Sequence, residues 1–452
     1  MSAAPTVEVL TAADAERSQR RAAGALADAG LGEGDRVAFC LPSSAALLCA
    51  VLGALRTGIV PVLLNATLTD GERDRLVADA EPALAVLDPR ALAALDRGPE
   101  VRLHPFPRAR PMHYTSGTTG QAKGVWTGVW DAATAAAAFG DEADLWDFGP
   151  GDVHLVCSPM YHSVSIRFAG GTLLRGGTCV ILGAFDAATA AAALEGAHGP
   201  RPTTAFLAPS ALTRLLALEG TTPERFASLR LLVHAGSACP PALKRAALEV
   251  VAPEVLYEFY GSTEGQFTVC PTGEWLARPG TVGRARPGRE LSVDDDGTVW
   301  CRPPAHAAWS YWRDEAKTAA AWRDGSFTVG DLGRLDRNGF LFLDGRRDDL
   351  IISGGVNVYP AEVEAVLAEA DGVAEVAVFG LADELWGQRV CAAVVPTPGA
   401  ATDRVAAAVA ALAADRLAGY KRPKQVEVVD DLPRTATGKV QRLRLPEVLG
   451  LA

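Results

Sequence analysis

The segment Tyr114-Thr-Ser-Gly-Thr-Thr-Gly-Gln-Ala-Lys-Gly124 gathers four Ser/Thr hydroxyls, three glycines and one lysine within eleven residues. In a loop of this kind, backbone N–H groups and hydroxyls approach an oligophosphate closely and Lys123 adds positive charge, which suits the terminal phosphates of ATP. It is not a Walker A loop, because Ala122 stands where the second glycine belongs and Gly124 where Ser or Thr would bind magnesium. By composition alone the segment is equally a flexible Ser/Thr/Gly turn. The same holds elsewhere: alone, Glu264 reads as a surface glutamate, Asp331 as a loop carboxylate and Lys439 as a solvated lysine. The eight cysteines form no CxxC pair and do not cluster with the seven histidines, which removes zinc sites and a disulfide framework and fits a reducing cytosol.

Elements must hold these residues in place, and 452 residues suffice for at least two domains. With 49% hydrophobic and 21% charged residues, a disordered, collagenous or coiled-coil chain is excluded. The net charge of -11 repels nucleic acid and anionic lipid, so any anionic ligand must be held locally. Arg36 to Leu41 reads as a buried strand, Ser43 to Arg56 as an apolar helix, Val60 to Leu64 as a strand, Asp70 to Ala80 as a helix and Ala83 to Leu87 as a strand. This βαβαβ pattern returns at Thr204 to Leu207, Leu229 to Val233 and Val255 to Phe259, with helices from about Ser210 and Pro241, so parallel sheets covered by helices are expected. From Val293 to Phe342, short segments cut by Gly, Pro and Asp predict antiparallel hairpins or a small barrel. The remainder reads as α+β: helix from Pro360, strands Val373 to Phe379 and Val390 to Val395, helix from Asp403, strand Gln425 to Val429. The fold class is therefore α/β, with a large N-terminal domain (residues 1–346) containing a small β subdomain and a smaller α+β C-terminal domain (residues 347–452).

The chemistry-bearing segments, taken together, resemble the adenylate-forming superfamily of acyl-CoA synthetases, luciferases and nonribosomal adenylation domains. The first segment is similar to its phosphate loop. In order follow Tyr260-Gly-Ser-Thr-Glu264, Gly330-Asp331, the run from Gly345 through Asp348 and Ser353-Gly354-Gly355 to Glu364, and Pro433-Arg-Thr-Ala-Thr-Gly-Lys-Val-Gln-Arg442. The resemblance implies that Thr115, Ser116, Gly117, Thr118, Thr119, Gly120 and Lys123 hold the ATP phosphates and that Thr263 contacts the α-phosphate. Tyr260 and Gly261 would lie along adenine, with Gly236 and Ser237 completing its wall. Glu264, joined by Thr118, would hold Mg²⁺, a hard ion commonly bound by one or two carboxylates and the nucleotide phosphates. Asp331 and Arg346 match the positions that bind the ribose hydroxyls. Lys439 would bridge the attacking carboxylate and the α-phosphate, which requires a mobile C-terminal domain to close. Asp348 matches the pivot between adenylating and thioester-forming arrangements, and Ser353, Gly354 and Gly355 would face the pantetheine tunnel. Pro159-Met-Tyr161-His162 is similar to the segment beside the acyl pocket, whose walls His234, Gln266 and Phe267 would complete. Arg167 could meet a second carboxylate of a diacid, although a structural salt bridge is the simpler assignment.

Four departures from the family pattern stand out: Ala122 for the usual proline, Val329 for the threonine of Thr-Gly-Asp, Ser310 for a glycine before Tyr311, and a shortened segment before the phosphate loop. The implied activity is ATP- and Mg²⁺-dependent activation of a carboxylic acid, with CoA as thiol acceptor because Tyr420-Lys-Arg-Pro-Lys424 is closer to acyl-CoA synthetases than to nonribosomal domains. The alternatives are loading of a separate acyl carrier protein, specialisation for one half-reaction, and a non-catalytic nucleotide-binding protein. A bulky apolar or aromatic acid is the expected substrate. A cytoplasmic location without membrane span or targeting segment is expected. The homodimer is only the commonest oligomer in general.

Overall fold

The computed structural model describes residues 6–115, 123–353, 356–384, 386–434 and 440–451. They fall into two compact units, one formed by Met1–Glu290 with Cys301–Phe327 and the other by Leu291–Trp300 with Thr328–Ala452. The strands that lie wholly in the larger unit are, in chain order, β1 (Val7–Thr11), β2 (Arg36–Phe39), β3 (Val60–Leu63), β4 (Leu84–Val86), β5 (Met112–Thr115), β6 (Lys123–Trp126), β7 (Val153–Val156), β8 (Thr178–Leu182), β9 (Thr204–Leu207), β10 (Leu231–His234), β11 (Leu256–Glu258), β12 (Thr268–Pro271), β13 (Thr281–Ala285), β14 (Ser310–Tyr311), β15 (Trp322–Arg323) and β16 (Ser326–Phe327). One sheet runs β14-β6-β5-β3-β2-β4, and its β5-β3-β2-β4 part is parallel. The other runs β1-β8-β7-β9-β10-β11-β12-β13, parallel from β8 to β11 and antiparallel at its ends.

This is the α/β class expected from the alternating apolar runs. Strands β3 and β9 are buried at every position, as parallel strands covered on both faces must be. Local signals mark the helix starts: Thr69 and Glu72 form a capping box on Asp70–Ala80, Ser44 caps Ala45–Leu55, and Asp88 caps Pro89–Leu95. Helices Ala12–Asp28 and Ala45–Leu55 pack so closely that a Cβ on Gly53 would lie 2.5 Å from the Gln19 carbonyl oxygen. No described helix is long and apolar enough to cross a membrane.

In the smaller unit, Asp331–Leu335 and Phe340–Arg346 form a hairpin. A second sheet follows in the order Val356–Val358, Ile351–Ser353, Gly387–Pro396, Val373–Asp383, with Gln425–Val428 parallel to Gly387–Pro396. The hairpin of Val373–Asp383 with Gly387–Pro396 is paired out to Asp383 and Gly387, well past the apolar runs that announced it, because backbone pairing continues where alternation is polar.

All eight cysteines are free thiols, and burial raises the pKa of each, to about 12 for Cys49, Cys157, Cys239, Cys270 and Cys301. His154 on β7 is fully enclosed; its Nδ1 lies 2.9 Å from Thr204 Oγ1, its ring packs on Phe168, and burial pushes it down to about 3. Burial likewise brings His113 and His234 to about 3. Below the ordinary value near 6.5 the unfolded chain takes up protons that these rings refuse, so stability falls as pH drops from about 6.5 toward 3. His154→Phe is expected to flatten the fall of Tm between pH 6.5 and about 4.5 in a thermal melt series; parallel slopes for the two proteins would assign the acid sensitivity elsewhere.

Candidate active site

The Tyr260-Gly-Ser-Thr-Glu264 run forms a tight hairpin between β11 and β12. Ser262 donates to the Gly265 carbonyl at 2.8 Å, Phe267 and Thr268 donate to the Tyr260 carbonyl at 2.9 and 3.1 Å, and Gly261 bridges Gln266. Glycine is required at 265, where a Cβ would lie 2.6 Å from the Phe327 ring. The Tyr260 and Phe267 rings pack 4.8 Å apart, and Phe267 is fully buried. Arg110, just before β5, pins the hairpin from behind by donating to the Thr263 carbonyl at 2.6 Å and the Glu264 carbonyl at 3.2 Å.

Glu264 is buried, with 6% of its surface exposed, and pairs with no lysine or arginine among the described residues. Its Oε1 accepts the Tyr311 hydroxyl at 2.9 Å, and the Lys123 ammonium lies 4.8 Å from the centre of the same Tyr311 ring. The structure thus brings together Lys123, at the start of β6, and Glu264 through Tyr311. An enclosed carboxylate that forms no direct ion pair suits a divalent cation completed by nucleotide oxygens, and this donor set fits Mg²⁺. Among the described residues, no group of three or more His, Cys, Asp and Glu gathers at one point, so the protein alone does not cage a metal.

Thr115 ends β5 opposite Lys123. Ser116, Gly117, Thr118, Thr119 and Gly120 lie outside the described residues, as do Gly354, Gly355 and Lys439. At the end of β10, Gly236 takes φ +97, a left-handed conformation that favours glycine, and Ser237 beyond it is exposed. His234 is wholly buried, 3.9 Å from Glu258 Oε2. The same carboxylate oxygen pairs at 2.6 Å with Lys244, a fully buried lysine that also sits 4.9 Å from the Trp275 ring centre. Tyr161 and His162 lead into helix Ser163–Leu174, their rings 4.4 Å apart, and the Tyr161 carbonyl oxygen lies 2.8 Å from His113 Nδ1.

A cavity of about 140 Å³ opens against the hairpin. Gly265 and Gln266 form one wall; helices Ala45–Leu55, Ala132–Trp146 and Ser163–Leu174 supply apolar walls through Leu52, Leu55, Phe139 and Ile166. Of the five residues expected to line an acyl pocket, only Gln266 reaches this cavity; Tyr161, His162, His234 and Phe267 do not. Arg110, Arg167, Arg289, Asp141 and Glu142 also line it, and Arg167 forms the expected salt bridge, to Glu142 at 2.9 Å. Sequence patterning offered no signal for the rest of this group, which comes from four distant segments.

In the smaller unit, Asp331 and Arg346 are direct register partners on the hairpin and form an ion pair at 3.1 Å. Asp348 is exposed in a single 3₁₀ turn, Arg347–Asp349, between two strands. Ser353 is buried, next to Gly354 and Gly355, which lie outside the described residues.

Comparison with known proteins bears on these segments. A family model described as AMP-binding enzyme matches residues 4–108 and 109–306, and one described as AMP-binding enzyme C-terminal domain matches residues 362–439. The chain is 32% identical to an indoleacetate–CoA ligase from Aromatoleum aromaticum, over 93% of this chain and 90% of that one. It is 31% identical to a fatty acid–[acyl-carrier-protein] ligase, ScoC, from Streptomyces coeruleorubidus, over 96% and 91%. Its fold superposes on ATP-bound MatB from Rhodopseudomonas palustris with a TM-score of 0.86 at 31% identity, covering 96% of this chain and 93% of that one.

Proposed function

The chain belongs to the AMP-binding enzyme family, the adenylate-forming enzymes, and from that premise we propose that it is an AMP-forming acid–CoA ligase. It activates a carboxylic acid with ATP to an acyl-adenylate, releasing pyrophosphate, and transfers the acyl group to the CoA thiol. The observation that carries this reading is the linkage of Lys123, Tyr311 and Glu264, which joins the phosphate-loop lysine to a buried, unpaired carboxylate.

A carboxylate is a poor acyl donor because oxide leaves badly; exchange of pyrophosphate for the acid oxygen turns the leaving group into AMP. The nucleophile is already ionised at pH 7, so a general base is unnecessary and the protein's task is to position anions and offset their charge. Lys123 and the hydroxyl loop of residues 115–120 hold the phosphates, and the backbone around Thr263, fixed by Arg110, presents the α-phosphate contact. Tyr260, Gly236 and Ser237 form the adenine site. Glu264, with Thr118, holds Mg²⁺, which supplies charge neutralisation on the triphosphate. Asp331 and Arg346 take the ribose hydroxyls, and Lys439 reaches the reacting carboxylate when the C-terminal domain closes. Ser353, Gly354 and Gly355 line the path of the pantetheine thiol in the second arrangement.

The direct test is product analysis by mass spectrometry with ATP, Mg²⁺, CoA and a panel of aryl, alicyclic and aliphatic acids. Acyl-CoA together with AMP supports the ligase; acyl-AMP without thioester favours an acyl carrier protein as acceptor, the alternative supported by the similarity to ScoC; neither product from any acid refutes the proposal. The pivot has its own test. Asp348→Pro fixes φ and removes a backbone donor, and is expected to slow thioester formation at least about tenfold more than adenylation. Equal losses in the two half-reactions, measured as pyrophosphate release and as thioester from supplied acyl-AMP, would count against a pivot at this residue.

A further inference from the structure

The cavity against the hairpin holds more positive charge than its own carboxylates can match. Three guanidinium groups line it, from Arg110, Arg167 and Arg289, with Arg286 paired behind the wall; the carboxylates facing them are Asp141 and Glu142, and Glu264 acts on Arg110 from the hairpin. Asp141 is held by Arg289 through two bonds of 2.6 Å, with Arg286 and His306 each at 3.3 Å. Glu142 accepts from Trp146 at 2.8 Å, Arg167 at 2.9 Å, Arg286 at 3.0 Å and Gln266 at 3.4 Å. Burial would raise the Glu142 carboxyl, but the charges of Arg167 and Arg286 outweigh it and keep it at about 2, so both acids are fully ionised and fully used.

Arg110 donates only to backbone carbonyls and, among the described residues, forms no direct ion pair, although the charges of Glu264 and Glu142 act on it. The buried Nε atoms of Arg167, Arg286 and Arg289 also lack acceptors. A self-contained structural ion cluster balances its charges, because unmatched buried charge is costly. This one is short of anions where the cavity opens, beside the turn that bears Thr263 and Glu264.

We propose that the cavity receives a second anionic group of the acid substrate: the acid has an apolar body about the size of a benzene ring and, at its far end, a further carboxylate held by Arg110 and Arg167. The proposal rests on the ligase reading and deepens it. The volume near 140 Å³ matches one such ring, the walls of Leu52, Leu55, Phe139 and Ile166 accept its faces, and the arginines offer charge-assisted hydrogen bonds to the distal carboxylate.

The test uses acid pairs with the same body, one ending in carboxylate and the other in methyl or neutral amide. Calorimetric affinity without ATP and kcat/KM for acyl-AMP formation are measured for each member. The wild type is expected to prefer the doubly anionic member by about 10–100-fold. In Arg167→Gln, and in Arg110→Gln, the ratio of diacid to monoacid is expected to fall about tenfold or more. The paired change Arg167→Gln with Glu142→Gln removes one charge of each sign and guards against a misfolded single variant; it should show the same collapse of the ratio. Equal affinity for both members in the wild type, or a ratio unmoved by every folded variant, overturns the diacid proposal and leaves the ligase intact. Binding with preference but no acyl-AMP from any acid overturns the ligase, and the substrate assignment with it.

Discussion

Lys439→Ala is expected to lower the rate of acyl-adenylate formation by about 10²–10³-fold, the loss typical of removing one charge-stabilising donor from a reacting centre. The lysine has a single task in the proposed cycle: to bridge the attacking carboxylate and the α-phosphate while negative charge builds between them. Its removal should therefore leave ATP binding nearly unchanged and fall on kcat. Because the second half-reaction uses another arrangement of the C-terminal domain, thioester formation from supplied acyl-AMP should survive. Measuring ATP–pyrophosphate exchange beside thioester release separates the two. Equal loss of both would place Lys439 in a structural role, and loss of neither would mean that another group carries the adenylation step.

Lys244→Met is expected to destabilise the larger unit by about 3–5 kcal/mol, the cost of leaving a buried carboxylate without its partner. Lys244 has no exposed surface, its ammonium is 2.6 Å from Glu258 Oε2, and Glu258 is itself nearly enclosed. Burial raises the pKa of Glu258 and the lysine opposes that rise, so without the lysine the carboxyl must take a proton or draw in water. A second substitution, Glu258→Gln, should recover most of the loss, since a neutral amide needs no counter-charge. Chemical unfolding of both variants decides the matter: a Tm and midpoint unchanged in Lys244→Met would mean that the pair contributes nothing net. The consequence reaches the site, because Glu258 ends β11 two residues before Tyr260, and His234, beside the pair, ends β10 two residues before Gly236.

The parts of this molecule that could be read in one dimension are those whose chemistry is contiguous. The hydroxyl-rich loop, Tyr260 to Glu264 and the βα alternation are each written in neighbouring residues, and the parallel sheets follow from buried runs such as Val60–Leu63. The edge strand Val7–Thr11 escaped notice because its partner is Thr178–Leu182, far along the chain, and its own five residues are too few to show a period. The role of Tyr311 was hidden in the same way: it stood out only for the serine before it, whereas its bond to Glu264 spans 47 residues. The arginine cavity was least legible. Arg110, Glu142, Arg167, Arg286 and Arg289 have no common spacing, and only folding reveals that three arginines share two acids with a fourth beside them.

The buried cysteines acquire meaning once the chain is seen as a maker of acyl-adenylates, since such intermediates react with any available thiolate. All eight thiols have pKa values raised by burial, so at neutral pH the chain exposes almost no thiolate of its own. The chain's own thiols are in this respect poor competitors for its product: the sulfur nucleophile must arrive from outside.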